Sequence, residues 1–147
     1  MVMHESSGAG PSLRQAATLP DVLAASFDAF EVIRLLARAS EDQVPALLAA
    51  FMTAADAAVD GREAVTAAPS LPSGGEGAGA PAAAADTDAW VIADGMAALA
   101  VLLGERLRHA AALSLTAGDR GACEAAAEAA GRICQLMARG HDDASLR

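Results

Sequence analysis

The sequence predicts an all-α protein: a four-helix bundle made of two antiparallel helical hairpins, joined by a long loop rich in alanine, glycine and proline. Four segments carry apolar residues at the three- and four-residue spacing of an amphipathic helix. β-Branched residues are few and never alternate over a long run, which argues against strands. Alanine, the strongest helix former, supplies 41 of the 147 residues. A chain of this length normally forms one domain, so we expect the two hairpins to share a core.

The first hairpin is predicted over residues 18–67, after a flexible N-terminal tail over 1–17 in which small and polar residues predominate. Its first helix should span 20–39. Thr18 can cap this helix, and Pro20 fits the first turn because no hydrogen bond is lost there. The second half of the helix is apolar nearly all round, which is typical of a central helix or of an oligomer contact.

The second helix of this hairpin is predicted over 41–66, because an apolar stripe runs along it. Ser40 and Gln43 have the spacing of a capping box at its start. Gly61 is a point at which the helix could end or bend, since glycine lowers helix stability. Residues 68–85 are rich in alanine, glycine and proline without a period, and this composition predicts a flexible linker.

The second hairpin is predicted over 86–140 and is followed by a C-terminal tail over 141–147. Its helices should span 87–115 and 119–139, because apolar stripes run along both. Short turns predict that the two helices of each hairpin are antiparallel, whereas the linker leaves the direction of one hairpin relative to the other open. The predicted boundary residues are Asp86 or Thr87, Gly118, Asp119 and Gly140.

The last predicted helix has a clear polar face. Within it, Glu128 and Arg132 have the i,i+4 spacing of a helical ion pair, which stabilises a helix by about 0.2–0.5 kcal/mol. The whole polar face is Glu124, Glu128, Arg132, Gln135 and Arg139.

The charge composition disfavours several kinds of partner. The chain has 19 acidic residues against 10 basic ones, all arginine, and a formal net charge of −9. Binding to nucleic acid or to an anionic membrane needs a basic face, so we expect neither. We also expect no secretory signal and no membrane span, and therefore a cytoplasmic protein. Lysine, asparagine and tyrosine are absent. Because their codons are AT-rich, this absence predicts a bacterium with a high-GC genome.

Motifs for catalysis or cofactor binding are missing from the sequence. No glycine-rich phosphate loop leads into a helix, and no E-x-x-H pair of the kind that builds di-iron sites in helix bundles occurs. Cys123 and Cys134 lie eleven residues apart on one face of a predicted helix, too far apart for a disulfide. We therefore expect no cofactor, no metal and no disulfide, and we favour a protein that is not an enzyme.

Three arginines lie within or beside apolar stripes, namely Arg34, Arg62 and Arg106. An unpaired guanidinium is costly to bury, so each needs a partner or a route to water. Three explanations stay open. Arg34 could pair with Glu31 or Asp28 while the other two extend to water. The arginines could hold an anionic, partly apolar small molecule, which suits their planar fork. They could also meet acidic residues of a partner chain.

Large apolar residues also occur on faces that should be polar. These candidate interface residues are Trp90 and Val101 on the third predicted helix and Val32, Leu35 and Leu36 on the first. Tryptophan and arginine are favoured at interface anchors. We therefore expect a non-enzymatic accessory or regulatory protein that binds another protein or itself, with a homodimer as the simplest form. A small helical ligand-binding protein that uses the three arginines is the alternative.

Overall fold

The computed structural model describes residues 9–72 and 88–145, with side chains up to residue 138, and every regular element in these ranges is helical. No described residue forms a strand, so the all-α prediction is confirmed for these ranges. The helices, named in chain order, are α1 (Ala9–Gln15), α2 (Leu19–Ser40), α3 (Leu48–Thr66), α4 (Ala89–Leu113) and α5 (Ala117–Ser145), and a 3₁₀ turn at Pro45–Leu47 precedes α3. None of these described helices is both long and apolar enough to cross a membrane.

The core lies between the four longer helices. α2 packs on α3 and on α4, and α5 packs on the same two helices. The large, fully buried side chains at the centre include Phe30, Ile33, Phe51, Ile92, Met96, Leu103, Leu107 and Ile133. Burial of each stabilises the fold by about 1.5–3 kcal/mol relative to an exposed position. The apolar residues whose spacing predicts these helices therefore include the residues that form the core.

α3 continues through Gly61, where the sequence allowed for an end or a bend. Glycine is needed here because α2 and α3 approach closely. A Cβ atom at Gly61 would lie only 2.3 Å from Cε1 of Phe30, and the ring of Phe30 is fully buried. The missing side chain therefore makes room for the ring.

Part of the segment predicted as a loose tail, residues 1–17, is helical. α1 has seven residues, and Ala9 and Leu13 on its inner side are buried. A helix this short is not stable alone in water, so its packing on α2 and α4 holds it in place. Gly10 and Pro11 are typical of a loop, but proline is tolerated in the first turn of a helix. Burial of Leu13 outweighs these two local preferences.

The prediction that the second helix starts directly after Ser40 is wrong. The chain turns there, a 3₁₀ turn opens at Pro45, and α3 begins only at Leu48. Proline disfavours the helical conformation of the residue before it. Val44 accordingly has an extended backbone, with φ −131° and ψ 112°. Ser40 is the last residue of α2 rather than the cap of α3, and its hydroxyl is buried with no hydrogen-bond partner among the described residues.

The cap of α4 is Asp88, directly before the first helical residue. Its Oδ1 accepts a hydrogen bond from the backbone N–H of Trp90 at 2.8 Å. This bond satisfies one of the N–H groups that the first turn of a helix leaves without a partner. The caps that the sequence predicts, Asp86 and Thr87, lie outside the described residues.

The start of α5 also differs from the prediction. Thr116 is the cap, because its Oγ1 accepts a hydrogen bond from the backbone N–H of Asp119 at 3.1 Å. Asp119 therefore lies within the first turn rather than before it. Gly118 belongs to α5 and does not stop the preceding helix. A Cβ atom there would lie 3.1 Å from Cγ of Pro69, so Gly118 lets the turn after α3 pack against α5.

α5 runs beyond its predicted end as well. The helix continues through Gly140 to Ser145, into the segment 141–147 that was predicted as a tail. One glycine inside a helix costs about 0.5–1 kcal/mol relative to alanine. That cost is too small to end a long helix whose earlier turns are held by the core.

The first residues of the predicted linker 68–85 are fixed to α5. Ser70 donates from its backbone N–H to Oδ1 of Asp119 at 3.0 Å and from its hydroxyl to Oδ2 at 2.6 Å. The side-chain hydrogen bond from Ser70 is the main cause that holds the pKa of the Asp119 carboxyl below its usual range. Residues 68–72 are thus an ordered turn, and the rest of the predicted linker lies outside the described residues.

Candidate functional site

The five predicted interface residues do not form one surface. Val32 and Leu36 are buried on α2, where they line a cleft beside α1. Leu35 is half-buried on the same helix. On α4, Trp90 is half-buried against the core, and Val101 is 46% exposed. Packing of α1 on α2, which the sequence does not predict, therefore leaves only part of this set available for contact with a partner.

Two of the three predicted arginines meet at one carboxylate between α2 and α3. Arg34 donates from Nε to Oε1 of Glu31 at 3.0 Å and from Nη2 to Oε2 at 3.3 Å. Arg62 donates from Nη1 to the same Oε1. Hydrogen bonding, first from Arg34, holds the pKa of Glu31 below its ordinary value, and Glu31 in turn raises the pKa of Arg34. The pairing of Arg34 with Glu31 is as predicted, and both guanidinium groups are engaged within the chain.

Arg106 lies elsewhere, between α4 and the segment that joins α1 to α2. Its Nη2 donates to the carbonyl oxygen of Ala16. Its Nε is buried and has no hydrogen-bond partner among the described residues. Arg106 also lines a cavity of about 240 Å³, together with His109. The structure therefore does not bring the three predicted arginines together in one pocket.

A groove runs along α5 where this helix packs beside α4, and its volume is about 500 Å³. Small residues form its floor. Ala127 is buried, and a Cβ atom built at Gly131 would meet no described side chain and no other described helix within 4 Å. The residues that line the groove are Arg108 of α4 and Glu124, Ala127, Glu128, Gly131, Arg132 and Gln135 of α5. The groove therefore has room for side chains from outside the chain.

The walls of this α4–α5 groove have charges of both signs. Arg108, Glu124 and Glu128 are exposed and form no ion pair with another described side chain. Arg132 pairs with α3 instead, where its Nη2 lies 3.2 Å from Oδ2 of Asp60. The predicted pair of Arg132 with Glu128 does not form. Two arginines and two glutamates thus line the groove, in a chain whose net charge is −9.

Two of the predicted interface residues share a side of α4 with the groove. Val101 precedes Arg108 by about two helical turns, and Trp90 precedes Val101 by about three, so the three lie along one side of the helix. The side chain of Arg108 folds back along α4 and covers Gly104. Its guanidinium lies so close that a Cβ atom at Gly104 would come within 3.3 Å of it. A partly apolar strip therefore extends the charged groove toward the start of α4.

Sequence reasoning identified the polar face of α5 but not the groove within it. Glu124, Glu128 and Arg132 follow helical spacing, which is the ordinary pattern of a solvated face. The one available signal was Gly131, a glycine inside a polar face where another backbone can approach. Arg108 gave no signal, because its position beside α5 depends on how the two helices pack.

The cysteines do not suggest catalysis. Cys123 is buried, Cys134 is half-buried, and both are free thiols. Burial, followed by the charge of Asp119, raises the pKa of the Cys123 thiol above its usual range. A thiol that keeps its proton is a poor nucleophile. Within the described ranges, no group of three or more histidine, cysteine, aspartate or glutamate side chains could hold a metal ion.

The chain matches no protein-family model, no curated protein and no solved structure.

Proposed function

We propose that the protein acts by associating with a second copy of itself through the outer face of α4 and α5, as a non-enzymatic accessory or regulatory module. In this proposal α2 to α5 form a four-helix bundle of two antiparallel hairpins. Two observations support that architecture: α2 and α5 each pack on α3 and α4, and short connections join α2 to α3 and α4 to α5. α1 packs on α2 and α4, and none of its residues lines the α4–α5 groove.

The observation that supports self-association is the small, open floor of the groove between charges of both signs. A two-fold axis brings the same patch of both copies together, so the patch must complement itself. Arg108 comes from α4, whereas Glu124 and Glu128 come from α5. A half-turn can therefore set the basic group of each copy against the acidic groups of the other. The small residues Ala127 and Gly131 let two helices approach to the usual interaxial distance of about 8–10 Å.

The face is also large enough for a dimer. α4 has 25 residues and is therefore about 37 Å long, and two adjacent helices are about 20 Å wide. The resulting face of roughly 700 Å² approaches the roughly 800 Å² per partner that stable interfaces bury. Exposed ion pairs contribute only about 0.2–1 kcal/mol each. Val101 and Trp90 therefore supply apolar contact, while the charges set orientation.

Two glycines of α5 give a matched test of this proposal. A Cβ atom at Gly131 or at Gly121 meets no other atom within 4 Å, so a larger side chain fits the monomer at either position. Only Gly131 lines the groove. We expect the wild type to be a dimer and Gly131→Trp to be a monomer, by light scattering coupled to size-exclusion chromatography. Gly121→Trp, which lies on the same side of α5 but outside the groove, should weaken the dimer less than Gly131→Trp does, and circular dichroism should show the same helix content for all three.

A wild type that is monomeric at high micromolar concentration would refute self-association. A dimer that tolerates Gly131→Trp as well as Gly121→Trp would refute the placement of the contact at the groove. The cytoplasmic location, the bacterial source and the lack of enzymatic activity stay predictions from the sequence.

A further inference from the structure

The cavity beside Arg106 is independent of the proposed dimer face. It lies between the C-terminal half of α4 and the segment that leads from α1 into α2, and its volume is about 240 Å³. Arg106 and His109 supply its basic groups, three residues apart on α4 and therefore on the same side of the helix. None of the acidic residues that the structure describes lines it.

The guanidinium of Arg106 is incompletely satisfied. Nη2 donates to the carbonyl oxygen of Ala16, but the buried Nε has no partner in the described part of the chain. No carboxylate of the described residues forms an ion pair with Arg106. This differs from Arg34 and Arg62, which share Glu31. The charge of Arg106 therefore has no counter-ion in the described part of the chain, and a cationic group that lines a cavity without a carboxylate fits an anion best.

The walls of the cavity restrict the kind of anion. Beside the basic groups it is lined by the apolar side chains of Leu19, Val22, Ala110 and Leu113. Bare phosphate would leave these walls without a partner. The volume is also below the roughly 300–1,000 Å³ of most ligand pockets, so the occupant is small.

We propose that this cavity binds a small organic acid, with its carboxylate on Arg106 and His109 and a short apolar tail against Leu19 and Val22. Arginine suits this role because its planar fork can bind both carboxylate oxygens. Arg106 also holds the carbonyl of Ala16. The ligand therefore stabilises the segment that positions α1.

The test uses hexanoate as the probe, with hexanamide as a neutral analogue of the same shape and inorganic phosphate as an anion without a tail. The readouts are the melting temperature and the NMR signals of the His109 ring. Hexanoate should raise the melting temperature of the wild type and shift the His109 signals, whereas hexanamide and phosphate should do neither at the same concentration. Because the hydrogen bonds between the guanidinium and the charged carboxylate are lost, Arg106→Gln should weaken hexanoate binding about ten-fold or more. Arg38→Gln removes the same charge from a distant, exposed ion pair and should bind as the wild type does.

Several outcomes would overturn the assignment. Hexanoate could leave both readouts of the wild type unchanged, or phosphate could act as strongly as hexanoate, which would remove the role of the apolar walls. Equal binding by Arg106→Gln and wild type would remove the role of the arginine. If Arg106→Gln does not fold, the proposal is still tested by hexanoate binding to His109→Gln and by the comparison of hexanoate with hexanamide on the wild type. All of these readouts can be taken on a monomer, so their failure is distinct from a failure of the dimer.

Discussion

One added methyl group at Gly61 should destabilise the protein, although the same change in an open part of a helix should stabilise it. In the interior of a helix, alanine is favoured over glycine by about 1 kcal/mol. At Gly61 the new Cβ atom would lie 2.3 Å from Cε1, 2.4 Å from Cζ and 2.7 Å from Cδ1 of Phe30. The ring is fully buried and cannot swing into solvent. Overpacking of a core costs about 1–3 kcal/mol. Since these contacts are severe, we expect a net loss near 2 kcal/mol after the gain in helix propensity.

Gly131→Ala is the matched control, because a Cβ atom there meets nothing within 4 Å. It should raise the free energy of unfolding by about 1 kcal/mol, so the two substitutions should differ by about 3 kcal/mol. Urea unfolding followed by circular dichroism measures both, under conditions in which the association state is the same. Phe30→Leu removes the ring that blocks the methyl group. In a double-mutant cycle, Gly61→Ala should therefore cost less in the Phe30→Leu background, by at least about 1 kcal/mol. A Gly61→Ala variant as stable as Gly131→Ala would refute the packing argument.

Three further predictions concern other parts of the molecule. Leu13→Ala should lower the local stability of α1 by about 2–5 kcal/mol and remove the hydrogen-exchange protection of α1 but not of α4. Equal loss of protection in both helices would show that α1 does not unfold as a separate unit. Because folding lowers the pKa of Asp119, its carboxylate stabilises the folded protein at pH values above the unfolded pKa of about 3.9. This stabilisation is lost as the pH falls below that value. Asp119→Ala should therefore be less stable than wild type at neutral pH, with a difference that shrinks below about pH 4; a difference that persists at low pH would contradict this. Arg108→Glu and Glu128→Arg should each weaken the dimer, whereas a mixture of the two variants should form a heterodimer that native mass spectrometry detects. Recovery of homodimers alone would argue against pairing of Arg108 with Glu128 of the other copy.

The sequence predicted the elements whose cause is local and periodic. α2, α4 and α5 follow apolar stripes, so their presence was predictable from spacing alone. α1 was not, because its stability depends on the burial of Leu13 against helices distant in sequence, while Gly10 and Pro11 point locally to a loop. The late start of α3 was within reach of the sequence, since Pro45 restricts Val44. The predicted capping box led to the wrong boundary.

The candidate site was less predictable than the helices, for a physical reason. An ion pair at i,i+4 spacing gains only a few tenths of a kcal/mol. A partner on another helix can therefore replace it, and Arg132 pairs with Asp60 of α3 rather than with Glu128. Spacing likewise placed Arg62 and Arg106 in apolar stripes. It gave no information on which carboxylate, if any, would face them across a helix interface.

The hydrogen bonds between Ser70 and Asp119 also set a minimum length for the connection to α4. They fix the chain beside the start of α5, whereas Asp88 lies at the far end of α4, about 37 Å away along a helix of 25 residues. An extended chain spans at most about 3.3–3.6 Å per residue, so about eleven residues are needed. Because residues 68–72 form an ordered turn, the 15 residues from 73 to 87 are left for this connection. The connection thus has a reserve of about four residues. Deletions within that reserve should leave the fold intact, whereas longer ones should pull Ser70 away from Asp119, whatever residues are removed.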